Sequence, residues 1–285
     1  MKLFVTGAGG QLGQELVLAI REAGHEAIAT THAQLDITDG EAVRIAIGSA
    51  QPDVVIHAAA WTAVDACESD NEKAMLVNGT ASKFVADAAH AVGARVIYIS
   101  TDYVFDGTKP TPYNEDDVPN PQSVYGASKL AGEQAMGDGD AIVRISWVCG
   151  YHGANMVKTI LKLGATMPEL KFVNDQIGNP TFADDAARAI VNIATSGEGG
   201  IWHVTNQGAV SWYEFARDVL RVAGMDAEKV KPIATSDLHP PRPAKRPANS
   251  VLHNGAMQSA GISLLPDYRV PLERLVRRLQ ADAGE

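Results

Sequence analysis

Short apolar runs alternate with longer stretches of helical period through the first half of the chain. Leu3–Thr6, Glu26–Thr30, Asp53–His57, Arg95–Ser100 and Ala141–Trp147 read as strands. Between them, Gln11–Glu22, Gly40–Ser49, Glu72–Ala91 and Val124–Met136 read as helices. The strand candidates are unbroken apolar runs, such as Val54-Val55-Ile56 and Val96-Ile97-Tyr98-Ile99. Strands of that kind are covered on both faces. The pattern therefore predicts an α/β fold with a Rossmann-type, doubly wound parallel sheet. After residue 150 the rhythm loosens. Strand-like Leu170–Val173 and Ile201–Val204 remain, with helical Asp184–Thr195, Trp212–Ala223 and Leu272–Ala281. The proline-rich segment Leu238–Pro247 cannot be helical and reads as an ordered crossing.

Composition narrows the partners. The 285 residues are 46% hydrophobic and 20% charged, ordinary for a folded domain, and carry a formal charge of −10. Such a surface repels nucleic acid and anionic lipid, so neither is an expected partner. Any anionic ligand must be met by a local cluster of donors. Two cysteines, Cys67 and Cys149, support neither a disulfide framework nor a multi-cysteine zinc site. The start MKLFVTGAGG lacks the apolar stretch of a signal peptide, and no apolar run is long enough to span a bilayer. A cytoplasmic protein, monomer or homodimer, is expected.

The strand Leu3–Thr6 runs directly into Gly7-Ala8-Gly9-Gly10-Gln11-Leu12-Gly13. Gly7, Gly10 and Gly13 stand three apart between a first strand and a first helix. There, glycines allow a tight turn, close approach of backbone N–H groups to a pyrophosphate, and close packing of helix on strand. The helix N-terminus adds partial positive charge. A dinucleotide cofactor is therefore expected in residues 1–150, leaving 151–285 mainly for substrate, with segments returning to pack on the first domain. The second strand ends Ala29-Thr30-Thr31-His32, without the carboxylate that excludes a 2′-phosphate. NADPH is the expected cofactor, with NADH also admissible. Asp36 and Ile37, which follow that strand, suit the adenine edge.

Tyr125-Gly126-Ala127-Ser128-Lys129 places a phenol and an ammonium at i and i+4, on one helix face. A free phenol ionises near pH ~10 and is a poor catalyst at neutrality; a neighbouring ammonium lowers that value. Tyr125 and Lys129 are thus candidate catalytic residues. Thr101, at the end of the strand Arg95–Ser100, is the candidate hydroxyl beside them.

These residues resemble one family closely, the dTDP-4-dehydrorhamnose reductases of the extended short-chain dehydrogenase/reductase superfamily. The shared segments are TGAGGQLG (6–13), LDITD (35–39), HAAAWTAVDACE (57–68), YISTDYVFDG (98–107), YGASKLAGE (125–133), RISWVCG (144–150), DQIGNPT (175–181) and RPAKRPANS (242–250). The resemblance implies that Gly10, Gln11 and Leu12 touch the cofactor diphosphate and that Asp36 and Ile37 sit at the adenine. It implies that Ala58, Ala60, Trp61 and Thr62 line the cofactor path, and that Tyr125 and Lys129 bind the nicotinamide ribose. Thr101, Asp102 and Tyr103 would contact the sugar, with Trp147 over it. The implied reaction is hydride transfer to C4 of dTDP-4-dehydro-L-rhamnose, with Tyr125 protonating the oxygen. Arg242 and Arg246, in a segment with three cations in five residues, would meet the nucleotide diphosphate. Some family members dimerise around magnesium. Glu15, Asp184 and Asp185 lie near such positions but complete no ligand set, so no metal is expected.

Three alternatives stay open at this level. A 4,6-dehydratase typically has Thr-Asp-Glu where Tyr103 here replaces the acid. An epimerase, or a reductase of another nucleotide 6-deoxysugar, would use the same scaffold. A non-catalytic regulatory subunit, similar to the methionine adenosyltransferase β subunit, would keep the cofactor and leave the sugar untouched.

Overall fold

The structure is a computed structural model and describes residues 1–283. Its elements run β1 (Lys2–Thr6), α1 (Gln11–Glu22), β2 (Glu26–Thr30), α2 (Gly40–Ala50), β3 (Val54–His57), α3 (Val64–Ser69), α4 (Asn71–Ala74), α5 (Ala81–Ala91), β4 (Arg95–Thr101), α6 (Val124–Glu133) and β5 (Ala141–Ile145). There follow β6 (Val148–Cys149), α7 (Met156–Thr166), β7 (Leu170–Val173), β8 (Ile177–Gly178), β9 (Thr181–Phe182), α8 (Ala183–Ser196), β10 (Gly200–His203), β11 (Val210–Ser211), α9 (Trp212–Val222), β12 (Val230–Ile233), α10 (Gly255–Ser259) and α11 (Arg269–Ala283).

Six parallel strands form the main sheet in the order β10-β5-β4-β3-β1-β2. The β1–β3 switch point puts the carboxyl ends of β1, β3 and β4 at one crevice, the usual ligand position of an open α/β sheet. Burial follows the apolar runs: Leu3, Val5, Ile56 and Ile97 face α1 and α8 in one core, while Phe4, Val55 and Val96 face α2 and α5 in another. The second half adds β10 to the sheet and α8 to its α1 face. A third core, with Phe182, Phe215, Leu220, Leu272 and Val276, holds α7, α9 and α11 together around the short β7–β12 pair. No described helix is long and apolar enough to cross a membrane.

Two elements differ from the sequence expectation. The stretch Glu72–Ala91 is not one regular helix; Met75–Thr80 is a π turn between α4 and α5. The strand expected to reach Trp147 stops at Ile145, because Trp147 adopts φ 46°, a left-handed conformation that cannot continue a ladder.

Candidate active site

The glycine loop is built by close approach. Gly7 has φ 69°, and a Cβ on it would stand 2.6 Å from the Ala59 nitrogen; a Cβ on Gly13 would stand 2.2 Å from the Gly7 oxygen. Only glycine lets β1, the loop after β3 and α1 meet this closely. Gly10 is the N-cap of α1 and brings no capping side chain. The first-turn amides of α1 therefore point outward without helical partners. That donor set fits a dinucleotide diphosphate.

Gly7, Gly10, Gln11, Leu12 and Gly13 line a cavity of about 340 Å³. Ala58, Ala60 and Thr62 line it from the end of β3, and Thr101, Asp102 and Tyr103 from the end of β4. Tyr125 and Lys129 enter from α6, and Trp147 closes the far side. Asp36, Ile37, Trp61, Arg242 and Arg246 stand outside its wall. Asp36 accepts from the Thr38 amide (2.9 Å) and hydroxyl (2.7 Å) at the surface, which holds its carboxyl below the usual range, while Ile37 is buried.

Two glycines of YGASKLAGE bring α6 onto β4. A Cβ on Gly126 would stand 2.2 Å from the Tyr103 oxygen, and one on Gly132 would stand 2.0 Å from Tyr98 Oη. Ser123 caps the helix, accepting from the Gly126 amide at 3.1 Å. Tyr125 thus sits in the first turn, edge-on to Tyr103 with ring centroids 5.5 Å apart. Burial pushes its phenol above the ordinary range, and the Thr101 hydroxyl facing it draws it partly back.

Lys129 is 2% exposed. Its Nζ donates to the Ile99 carbonyl at 2.7 Å and lies 4.0 Å above the Tyr98 ring. Burial pushes its ammonium down to about 7, with the Glu133 carboxylate offsetting part of the effect. Behind it, Arg144 grips Glu133 through two bonds of 2.9 and 2.7 Å, and Ser100 donates to the same carboxylate. Asp102 is buried; Thr101 Oγ1 donates to its Oδ1 at 3.0 Å, while Oδ2 has no hydrogen-bond partner among the described residues. Burial raises this carboxyl to about 6.

Residues not anticipated from sequence complete the site. Asn78, in the π turn, accepts from the Trp61 amide (2.8 Å) and donates to the Trp61 carbonyl (3.1 Å) and to Ser128 Oγ (2.9 Å). It ties the loop after β3 to α6, and a π turn in an otherwise helical run is a common mark of a functional position. A buried asparagine in MLVNGT was the available signal. Trp147 stacks on Trp212 with centroids 3.6 Å apart and 8° between planes. A bulky residue held at positive φ records a constraint imposed by its surroundings.

A second cavity of about 240 Å³ adjoins the first, with Tyr103 in both walls. Lys171, Phe172, Gln176, Trp212, Arg242 and Arg246 line it. Only the two arginines were expected. Elsewhere, Asp184 and Asp185 are held by Arg188 and Arg274, and Glu15 faces His152 at 3.5 Å. Among the described residues no group of three acidic, histidine or cysteine side chains is placed to hold a metal ion.

A dinucleotide-binding α/β sheet with threonine, tyrosine and lysine at one cavity defines the extended short-chain dehydrogenase/reductase class. Within it, the chain belongs to the RmlD substrate binding domain family, whose model matches residues 1–281. It is 43% identical over 264 residues to the spore coat polysaccharide biosynthesis protein SpsK of Bacillus subtilis, covering 92% of each chain. It superposes on a crystal structure of a dTDP-4-dehydrorhamnose reductase from Clostridium acetobutylicum with a TM-score of 0.94 and 42% identity, covering 98% of this chain and 100% of that one. The dTDP-4-dehydrorhamnose reductase of Bacillus anthracis in complex with NADP gives a TM-score of 0.92 at 36% identity, with 98% and 100% coverage.

Proposed function

We propose that this protein is an NAD(P)H-dependent oxidoreductase that reduces the C4 ketone of dTDP-4-dehydro-L-rhamnose to give dTDP-L-rhamnose. The observation that carries this reading is the convergence of Thr101, Tyr125 and Lys129 on the cavity that the glycine loop opens into. The bound cofactor supplies a hydride. NADPH is the preferred donor, since no carboxylate at the end of β2 opposes a 2′-phosphate.

The protein's part is to orient and to protonate. Its buried phenol holds its proton at neutral pH, so Tyr125 is the general acid for the oxygen that develops charge at C4. Thr101 holds that oxygen toward the phenol. Lys129 fixes the nicotinamide ribose and, when charged, makes the phenol easier to deprotonate. Asp102 takes sugar hydroxyls on its free oxygen, and Trp147 covers the sugar ring. The adjoining cavity takes the nucleoside diphosphate, with Phe172 and Trp212 for the base. The two cysteines are free and buried, which fits a reducing cytoplasm.

The test supplies purified protein with NADPH or NADH and dTDP-4-dehydro-L-rhamnose generated in situ. Sugar-dependent loss of reduced-cofactor absorbance is expected, faster with NADPH. Cofactor binding without consumption would overturn the reading in favour of a regulatory subunit or another sugar.

A further inference from the structure

The basic segment Arg242–Arg246 is tied to one carboxylate on the cofactor side of the molecule. Asp65, in α3, pairs with Arg246 through both of its oxygens, the Nη2–Oδ2 bond measuring 2.7 Å. It also accepts from the Ala244 amide at 3.1 Å and stands 3.5 Å from Arg242 Nη1. Arg246 Nη1 is further bound to the Ala244 carbonyl at 2.7 Å, and its side chain is only 16% exposed. Arg242 differs: its side chain is 56% exposed and its single contact is long. Lys171, opposite in the same cavity, is 65% exposed and 3.8 Å from Glu169, a solvent-screened pair.

A planar guanidinium has five donors in a fixed fork. Arg246 has both terminal nitrogens committed, whereas Arg242 and Lys171 have theirs largely free. The cavity's three cations less one carboxylate leave two positive charges, the number a diphosphate ester carries in negative ones.

We propose that Asp65 is a positioning residue for substrate: it locks Arg246 into a clasp between α3 and the Leu238–Pro247 loop, and thereby leaves Arg242 and Lys171 as the cations that bind the diphosphate. The inference rests on the functional reading above and divides the labour among its cations. The clasp fixes the backbone that carries Arg242. It also ties that backbone to the helix just beyond Thr62, on the cofactor path.

The experiment measures dTDP affinity by calorimetry at low and high salt, with substrate KM, kcat and NADPH affinity, for the intact protein and four variants. Arg242→Gln and Lys171→Gln should each weaken dTDP about 10-fold or more and flatten its salt dependence, since a charge-assisted bond is lost. Asp65→Asn should raise substrate KM about 10-fold, keep kcat at saturation within about twofold, and leave NADPH affinity unchanged. Arg246→Gln should match it and keep the salt slope of the parent. The Asp65→Asn/Arg246→Gln double variant should be no worse than either single, because a clasp is lost once. Unchanged NADPH affinity separates this from misfolding. If Arg246→Gln flattens the salt slope as Arg242→Gln does, or Asp65→Asn leaves KM unaltered or tightens dTDP, the inference fails alone. A parent protein that binds NADPH but not dTDP overturns the functional reading and the inference with it.

Discussion

Replacing Glu133 by glutamine should destabilise the protein more than any surface charge change could. The Arg144–Glu133 side chains are 2% and 4% exposed, so neither charge is screened by water. Arg144 Nη1 already lacks a partner among the described residues, and the guanidinium is otherwise covered by the Phe105 ring at 5.0 Å. Glu133→Gln leaves that cation buried with half its bonds weakened. Removing one member of such a pair costs ~3–5 kcal/mol. At ~2–4 °C per kcal/mol for a domain of this order of size, Tm should fall by roughly 6–20 °C. The double variant Glu133→Met/Arg144→Met removes both charges and keeps volume, so it should return most of the loss. Thermal unfolding by circular dichroism at neutral pH, with all four corners of the cycle, gives the coupling directly. A fall of less than about 2 °C in the single variant, or a double variant no better than the single, would refute the argument that the buried charge sets the cost. Because the Glu133 carboxylate also favours the Lys129 ammonium, the single variant should carry less charge at Lys129 at neutral pH.

Three further outcomes are expected. Tyr125→Phe should lower kcat by roughly 10²–10⁴ while NADPH affinity, read by fluorescence titration, stays within about twofold; near-normal turnover would remove Tyr125 from the proton transfer. Lys129 loses its proton through about pH 7 in the free protein, so above that pH it is mostly an amine. An anionic cofactor favours the ammonium, and binding at about pH 8 should take up about 0.4 proton or more. Calorimetry in buffers of different ionisation heat reads this, and the uptake should vanish in Lys129→Met. Gly132→Ala, which drives a methyl into Tyr98 Oη, should cost at least the ~1–3 kcal/mol of an overpacked core and lower Tm accordingly; an unaltered melt would show that α6 can shift without loss.

Local signals were legible and distant pairings were not. The glycine loop and the Tyr125–Lys129 spacing lie within single turns, so their geometry follows from the sequence around them. The buried parallel strands announced themselves by unbroken apolar runs. By contrast, the left-handed Trp147 depends on Trp212 and Gly178 behind it; a Cβ on Gly178 would stand 2.7 Å from its ring. No local propensity encodes that. Arg246 read as a phosphate ligand because its neighbours are basic, yet its partner Asp65 lies 181 residues earlier in the chain. Periodicity could not mark the π turn at Asn78, since one extra residue leaves the apolar stripe nearly in place.

The perturbed groups share a direction that bears on which way the site works. Burial holds the Tyr125 phenol protonated and weakens the Lys129 ammonium, so the resting site is stocked with a proton donor rather than a phenolate base. A donor is what a carbonyl oxygen needs as it gains negative charge. An alcohol undergoing oxidation needs the opposite, a base. The charge on Lys129 then becomes the adjustable element: restoring it beside an anionic ligand lowers the phenol's hold on its proton when both ligands are in place. Asp102 adds a directional acceptor, because its free Oδ2 can be satisfied only by a donor entering the cavity, which a sugar hydroxyl supplies and a ketone does not. The carboxylate thus distinguishes the hydroxyl-bearing positions of the ring from the carbon to be reduced, and turns the ketone toward Thr101 and Tyr125.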